Sequence, residues 1–259
     1  MNAYDVKKID QHTWLINDKD LCTSYLIIGK DAALLIDTGM ESSNCLMEEI
    51  RKITDKKLIV AVTHAHYDHI GHVHEFPEIY MSKEEKIDLN RIKVDLNKFL
   101  YFDKEITFDL GNLIIKAIAF PGHTKGSTIF IDETNHNLFT GDQFGSGCGV
   151  WMQVEEAVCL SKYKKSIEDF IDYLKNHYSF DLQDWQFWGG HYGQEKTSRV
   201  KAYNPLNMDL VMNMKDLCDK VLKGEVTYQH CHATKFNHET SYYVQYKTAE
   251  MVIRKSLVQ

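Results

Sequence analysis

The sequence contains no apolar run near the roughly 18–20 residues that a membrane span needs, so a transmembrane protein is not expected. Its first residues, "MNAYDVKKIDQHTW", carry no apolar core of the secretory kind, and a cytoplasmic location is the expectation. Runs of lysine or arginine that could track a phosphate backbone are missing. Thirty basic against 37 acidic residues leave a net charge of −7, which speaks against nucleic acid as a partner. The six cysteines (Cys22, Cys45, Cys148, Cys159, Cys218 and Cys231) show no CxxC spacing. A chain of 259 residues buries enough surface without staples, so reduced thiols are expected. Repeats, low-complexity tracts and linker-like stretches are absent too, which favours one domain over residues 1–259. What remains, 44% apolar and 26% charged, is the balance of an ordinary globular protein.

Short apolar or alternating runs broken by turn residues predict strands at Tyr4–Ile9, His12–Ile16, Cys22–Ile28 and Ala32–Ile36. Ser42 or Ser43 can cap a helix running to about Thr54, and Leu58–Val62 is a short buried strand. The charged stretch Lys83–Lys104 reads as an exposed helix rather than a lid. Further strands are expected at Ile106–Leu110, Leu113–Phe120, Ser127–Ile131, Asn137–Phe139 and Phe187–Gly190. Amphipathic spacing predicts helices over Glu155–His177 and Leu206–Leu222, with Gly224 placed for a C-cap. Three strand-like segments follow: Val226–His232, Ser241–Tyr246 and Glu250–Ile253. The fold class is therefore α+β, with two strand-rich halves forming two mixed sheets packed face to face and helices on both outer faces.

The densest chemistry lies at 63–72, "THAHYDHIGH", where four histidines and an aspartate follow the buried run Leu58–Val62. His64 and His66 point to one face if the segment is extended, and Asp68 and His69 follow as the chain turns. Imidazole and carboxylate together suit zinc. Three imidazoles and a carboxylate within six residues exceed what one tetrahedral ion with an open position uses, so two ions are the natural reading. Further donors sit at comparable strand ends: His123 in "AFPGHTKGS", Asp142 in "LFTGDQFG" and His191 in "FWGGHYG". Each is preceded by glycine, which lets the backbone approach a crowded centre.

The order HxHxDH, PGHT, GD and GGH, preceded by "LLIDTG", resembles the metallo-β-lactamase superfamily from about Tyr25 to His191. The resemblance implies an αββα sandwich with a dinuclear site between the sheets, loaded with two zinc ions, or with iron or manganese instead. It implies that His64, His66 and His123 hold one metal, that Asp68, His69 and His191 hold the other, and that Asp142 bridges both. Asp37 in "IDTG" would orient a ligand histidine from behind. The reaction expected is hydrolysis of an ester, thioester or lactone by a hydroxide bridging the two ions, with Asp68 as catalytic group orienting the nucleophile or carrying a proton.

Departures from the family's better-known branches narrow the choice. β-Lactamases of this fold commonly lack an aspartate at the Asp142 position, and flavodiiron proteins carry glutamate where His66 stands. Acyl-homoserine lactonases usually have a tyrosine soon after the bridging aspartate, where this chain reads "GDQFGSG". Glyoxalase II-like thioesterases end in a helical domain with basic residues, whereas this tail looks strand-rich. Lys125 replaces a proline usual in PGHTPG and reads as a solvated turn residue. Alternatives kept open are a mononuclear iron persulfide dioxygenase, a phosphodiesterase on the same fold, and a non-catalytic binding protein. Phe144, Trp151 and Tyr192 are expected at the substrate, Phe144 and Trp151 as an apolar wall. His72 and His74 read as surface or helix-face residues, and His230 with His232 as a partly buried, satisfied pair. A small molecule is the expected partner, with homo-oligomerisation left open.

Overall fold

The computed structural model describes residues 4–18, 22–90, 92–146, 149–178, 184–192, 206–231 and 239–259. Alternating, β-branched-rich segments build the first half. Strands β1 (Asp5–Lys8), β2 (Thr13–Asn17), β3 (Thr23–Ile28) and β4 (Ala32–Ile36) form an antiparallel meander. Helix α1 (Leu46–Arg51) then carries the chain across to β5 (Lys57–Ala61), which lies parallel to β4. Strands β6 (Ile79–Ser82) and β7 (Phe99–Phe102) continue in parallel and complete a seven-stranded sheet in sequence order.

The second half continues with β8 (Glu105–Asp109), β9 (Ile114–Ala119), β10 (Thr128–Asp132), β11 (Asn137–Gly141), β12 (Val150–Met152), α2 (Leu160–His177), β13 (Gln186–Gly189), α3 (Met208–Leu222), β14 (Gln229–Cys231), β15 (Ser241–Tyr246) and β16 (Ala249–Arg254). A five-stranded sheet has the order β13-β11-β10-β9-β8. It is antiparallel except where β13 joins β11 in parallel. Strands β12, β16, β15 and β14 form a third, four-stranded sheet that the sequence reading did not separate.

Burial of alternate residues sets the layers. Leu34 and Ile36 of β4 meet Phe108, Ile115, Phe130 and Phe139 between the two large sheets. Their neighbours Ala33 and Leu35 face outward, against Leu46 and Ile50 of α1. On the other side, Ile129, Ile131 and Leu138 pack against Tyr163, Ile167, Phe170 and Leu174 of α2, together with α3 and the third sheet. The result is an α+β sandwich, helix to sheet to sheet to helix, that places the C-terminal ends of β4, β5 and β11 along one rim.

Helix α1 is shorter than predicted, and no serine caps it. The carboxylate of Glu75 does so instead, accepting the amides of Leu46 at 3.1 Å and Met47 at 2.7 Å. His72 is buried rather than on the surface, because its Nδ1 donates to Glu75 at 2.7 Å. His74 is exposed, as expected. Burial raises the Glu75 carboxyl, but the Met47 amide, His72 and the Leu46 amide outweigh it and hold the group below its ordinary value. A depressed carboxyl contributes stability above its unfolded pKa and loses it as pH falls through the folded value. Glu75→Gln is therefore expected to cost about 1–2 kcal/mol at neutral pH, with the difference from wild type vanishing in acid. Urea unfolding at neutral and acid pH checks this; an equal difference at both would contradict it.

Among its described residues the segment 83–104 is no helix. They contain a single 3-10 turn, Leu96–Lys98, before β7. Its inward residues Glu85, Ile92, Phe99 and Phe102 are buried without helical spacing, and the charge pattern alone misled the prediction. Helix α2 starts at Leu160 rather than Glu155, since the Val158 amide is committed to the Gly122 carbonyl at 3.1 Å. Helix α3 closes as foreseen: Gly224 has φ +72°, its amide bonds to Val221, and that of Glu225 bonds to Lys220. No helix among the described residues is long and apolar enough to cross a membrane.

Candidate metal centre

Asp37 directly follows β4 and takes the left-handed φ of +62°, a conformation aspartate tolerates better than most residues. That turn aims its carboxylate, 1% exposed as a residue, at the end of β5. Oδ1 accepts the Thr63 amide at 2.6 Å, and Oδ2 accepts the Thr63 hydroxyl at 2.8 Å and His69 Nδ1 at 2.9 Å. Because the Thr63 hydroxyl donates to Asp37, its oxygen accepts from His64 Nδ1 at 3.0 Å. Both imidazoles thus carry their proton on Nδ1 and present an Nε2 lone pair to the space between the sheets.

From the second sheet, His123 follows β9, Asp142 follows β11 and His191 follows β13. His123 Nδ1 donates to the Trp151 carbonyl at 2.7 Å, so its Nε2 faces the same space. The crowding explains two glycines. A Cβ on Gly190 would lie 2.5 Å from Asp142 Oδ1 and 2.6 Å from His69 Cε1, and one on Gly141, at φ +50°, would lie 2.6 Å from Thr63 Oγ1. The Thr63 carbonyl also accepts the Thr128 amide at 2.8 Å, tying the two sheets together beside the site.

The donor atoms form two adjoining groups. His66 Nδ1 stands 3.1 Å from His64 Nε2 and 2.9 Å from His123 Nε2. Nitrogens on one tetrahedral zinc ion are roughly 3.3 Å apart, so the trio has nearly the required spacing. On the other side, His191 Nε2 is 3.5 Å from Asp68 Oδ2 and 3.2 Å from Asp142 Oδ2. His69 Nε2 is 3.7 Å from Asp142 Oδ1 and 4.0 Å from Asp68 Oδ2. Asp142 Oδ2 is also 3.7 Å from His123 Nε2, so this one carboxylate spans both groups.

The chemistry of this donor set fits metal ions. His69 Nε2 and Asp142 Oδ1 are buried and, among the described residues, have no hydrogen-bond partner, a costly arrangement unless a cation lies between them. Burial, with His69 and His66 beside it, holds the His64 imidazole well below its ordinary value, and burial lowers His123 to about 4. His69 and His191 go the other way: burial lowers them, but Asp142 outweighs it, helped at His69 by Asp37 and Asp68. Burial would raise Asp142, yet His191 and His69 hold it well below the carboxylate range. The group thus demands positive charge among its carboxylates, and a metal supplies it without stranding a second N–H on His69.

Three further residues escaped the sequence reading. Glu85 is buried between the two histidine loops, accepting the amides of Ala65 and Gly126, each at 2.9 Å, and the Thr124 hydroxyl. Glu156 Oε2 lies 3.5 Å from His66 Nε2, and that contact takes its carboxyl down to about 2. Cys22 Sγ lies 4.0 Å from Asp68 Oδ2. Only the acidic residue types signalled the first two, and nothing in the spacing singled out the third.

An open cleft of about 310 Å³ covers the donors, walled by Met40, Tyr67, Ile92, Trp151 and Val154 with Lys86 at its side. Trp151 is where it was expected. Phe144 is not: it is buried in the α2-side core against Phe120 and Phe170, because its position on the loop points away from the cleft. Tyr192 is exposed, but its hydroxyl turns to Lys7 Nζ at 3.5 Å rather than into the cleft. Lys125 is exposed in its turn, outside the cleft. His230 is exposed on β14, not partly buried, and His232 lies outside the described residues.

Comparison with known proteins adds the following. Residues 17–188 match the family described as metallo-beta-lactamase superfamily. The probable polyketide biosynthesis zinc-dependent hydrolase BaeB of Bacillus velezensis is 34% identical over 115 residues, 39% of this chain and 49% of that protein. A hydroxyacylglutathione hydrolase of Bartonella quintana is 32% identical over 108 residues, 41% of this chain and 42% of that protein. The chain thus spans about half the length of these curated relatives. Among solved structures, a metallo-beta-lactamase from Pontibacter korlensis superposes with a TM-score of 0.62 at 16% identity, covering 83% of this chain and 99% of that one. At that identity the likeness speaks for the fold alone.

Proposed function

This chain belongs to the metallo-beta-lactamase superfamily, and from that premise we propose that it is a zinc-dependent hydrolase of an ester, thioester or lactone with a two-ion centre. The observation that carries the reading is the pair of adjoining donor groups meeting at Asp142, with His69 Nε2 and Asp142 Oδ1 left without hydrogen-bond partners among the described residues. The named relatives support zinc and an acyl substrate. His64, His66 and His123 would hold one ion, Asp68, His69 and His191 the other, and Asp142 would touch both. Bound there, zinc would polarise a carbonyl oxygen and make a water nucleophilic near neutral pH.

The protein's own part is orientation and proton handling. Asp37 and the Trp151 carbonyl hold Nδ1–H of His69 and His123, so neither ring can turn its lone pair away. Asp68, facing the cleft, would orient the attacking water and accept its proton. Tyr67, Trp151 and Ile92 present apolar surface to the acyl group, in a cleft large enough for a small substrate.

The test is a panel of aryl esters, thioesters, lactones and phosphodiesters offered to the zinc-loaded protein, with metal content measured alongside. Hydrolysis of at least one acyl substrate, lost on chelation, is expected. Cleavage of phosphodiesters alone, or oxygen uptake by protein holding a single iron, would overturn the proposal.

A further inference from the structure

Cys22 immediately precedes β3 and is 2% exposed. A thiol buried only for packing should face apolar side chains. This one lines the cleft, and its sulfur, an Asp68 oxygen and a His191 ring nitrogen all lie within 4.8 Å of one another. The backbone fixes that juxtaposition from two sides. The Cys22 amide donates to Asp18 Oδ1 at 2.8 Å, and its carbonyl accepts the Asp18 amide at 3.1 Å. The next residue, Thr23, donates its amide to the Gly190 carbonyl at 2.8 Å, and its hydroxyl oxygen accepts the Tyr192 amide at 2.8 Å. Thr23 therefore brackets His191 on both neighbours and holds Cys22 beside it.

We propose that Cys22 is a sulfur ligand of the second metal position, joining Asp68 and His191. The inference rests on the two-ion reading above. Added to Asp68, His69, His191 and the shared Asp142, Cys22 would make that position five-coordinate. With metal–sulfur and metal–oxygen bonds of ordinary length the two donors would then stand roughly 3–3.7 Å apart, so the 4.0 Å between Cys22 Sγ and Asp68 Oδ2 needs little closure. His69 Nε2 lies 4.0 Å from Asp68 Oδ2, and Asp142 Oδ2 lies 3.2 Å from His191 Nε2. Among the described residues neither His69 Nε2 nor Asp142 Oδ1 has a hydrogen-bond partner, which marks the space beside Asp68 and His191 as a cation position. On coordination the Cys22 S–H bond breaks, its proton passes to solvent, and a metal–sulfur bond forms with no change of oxidation state. One soft donor shifts the position toward zinc and away from manganese or other oxygen-seeking ions.

Cobalt(II) replacing zinc reports sulfur ligation directly. Wild type loaded with cobalt is expected to show a sulfur-to-metal charge-transfer band in the near ultraviolet. Cys22→Ser should lose that band, keep the visible ligand-field bands, and bind cobalt at least about tenfold more weakly. Bound metal should also protect Cys22 of the wild type from iodoacetamide, mapped by mass spectrometry; this second readout stands even if the serine variant does not fold. Ligand-field bands without charge transfer, or Cys22 alkylated equally with and without metal, would overturn the sulfur ligand and leave the centre intact. Failure of cobalt to bind at all would overturn both.

Discussion

Asp142→Ala is expected to abolish hydrolysis of whichever acyl substrate the zinc-loaded wild type cleaves, with kcat/KM down by about a thousandfold or more. Asp142 stands 3.2 Å from His191 Nε2, 3.7 Å from His123 Nε2 and 3.7 Å from His69 Nε2. Removing it leaves neighbouring imidazoles facing one another with no carboxylate between them, and deprives both proposed ions of their shared ligand. A bound metal contributes several kcal/mol to an acyl-transfer transition state, and each 1.4 kcal/mol is a decade of rate. Steady-state kinetics on variant protein with a native circular dichroism spectrum is the check. Activity within tenfold of wild type would remove Asp142 from the centre.

Glu85→Ala carries the second large effect, on stability as well as metal binding. The carboxylate joins the loop that presents His64 and His66 to the one that presents His123, through Ala65 on one side and Thr124 and Gly126 on the other. Burial raises its carboxyl above the usual range, so it sits there at an electrostatic cost that its donors offset only in part. Alanine would strand two amides at about 1–3 kcal/mol each, while Thr124 can still bond to Ser127 Oγ at 2.6 Å. Relief of the buried charge returns part of that. A net loss of about 3 kcal/mol is expected, together with zinc binding weaker by about tenfold to a hundredfold as the loops separate. Glu85→Gln keeps an acceptor in place and should fall between alanine and wild type. Denaturant midpoints unchanged in the alanine variant would show that the two loops hold themselves.

These two residues also mark what the sequence could and could not disclose. Asp142 was legible because a short apolar run and a glycine precede it, the same local grammar that exposed His123 and His191. The cluster from His64 to His69 was legible because its four donors fall within six residues. Glu85 was not: its role depends on two loops about 20 and 40 residues away meeting around it, and its neighbourhood reads as a charged surface. Cys22 was hidden for the same reason, since its place beside His191 is set by pairing of Thr23 with a segment some 170 residues later. Phe144 misled because proximity in sequence to Asp142 says nothing of which way a loop residue turns. Most strands of the two large sheets could be read from short apolar runs, β6 and β7 excepted, whereas the third sheet could not, because its edge strand β12 has only three residues and comes from far upstream of its partner β16.

The most direct test of the account is titration of chelator-stripped protein with zinc, followed by calorimetry and elemental analysis after desalting. Imidazoles and carboxylates gathered from the ends of strands in both sheets should retain two zinc ions per chain. Retention of no more than one would contradict it.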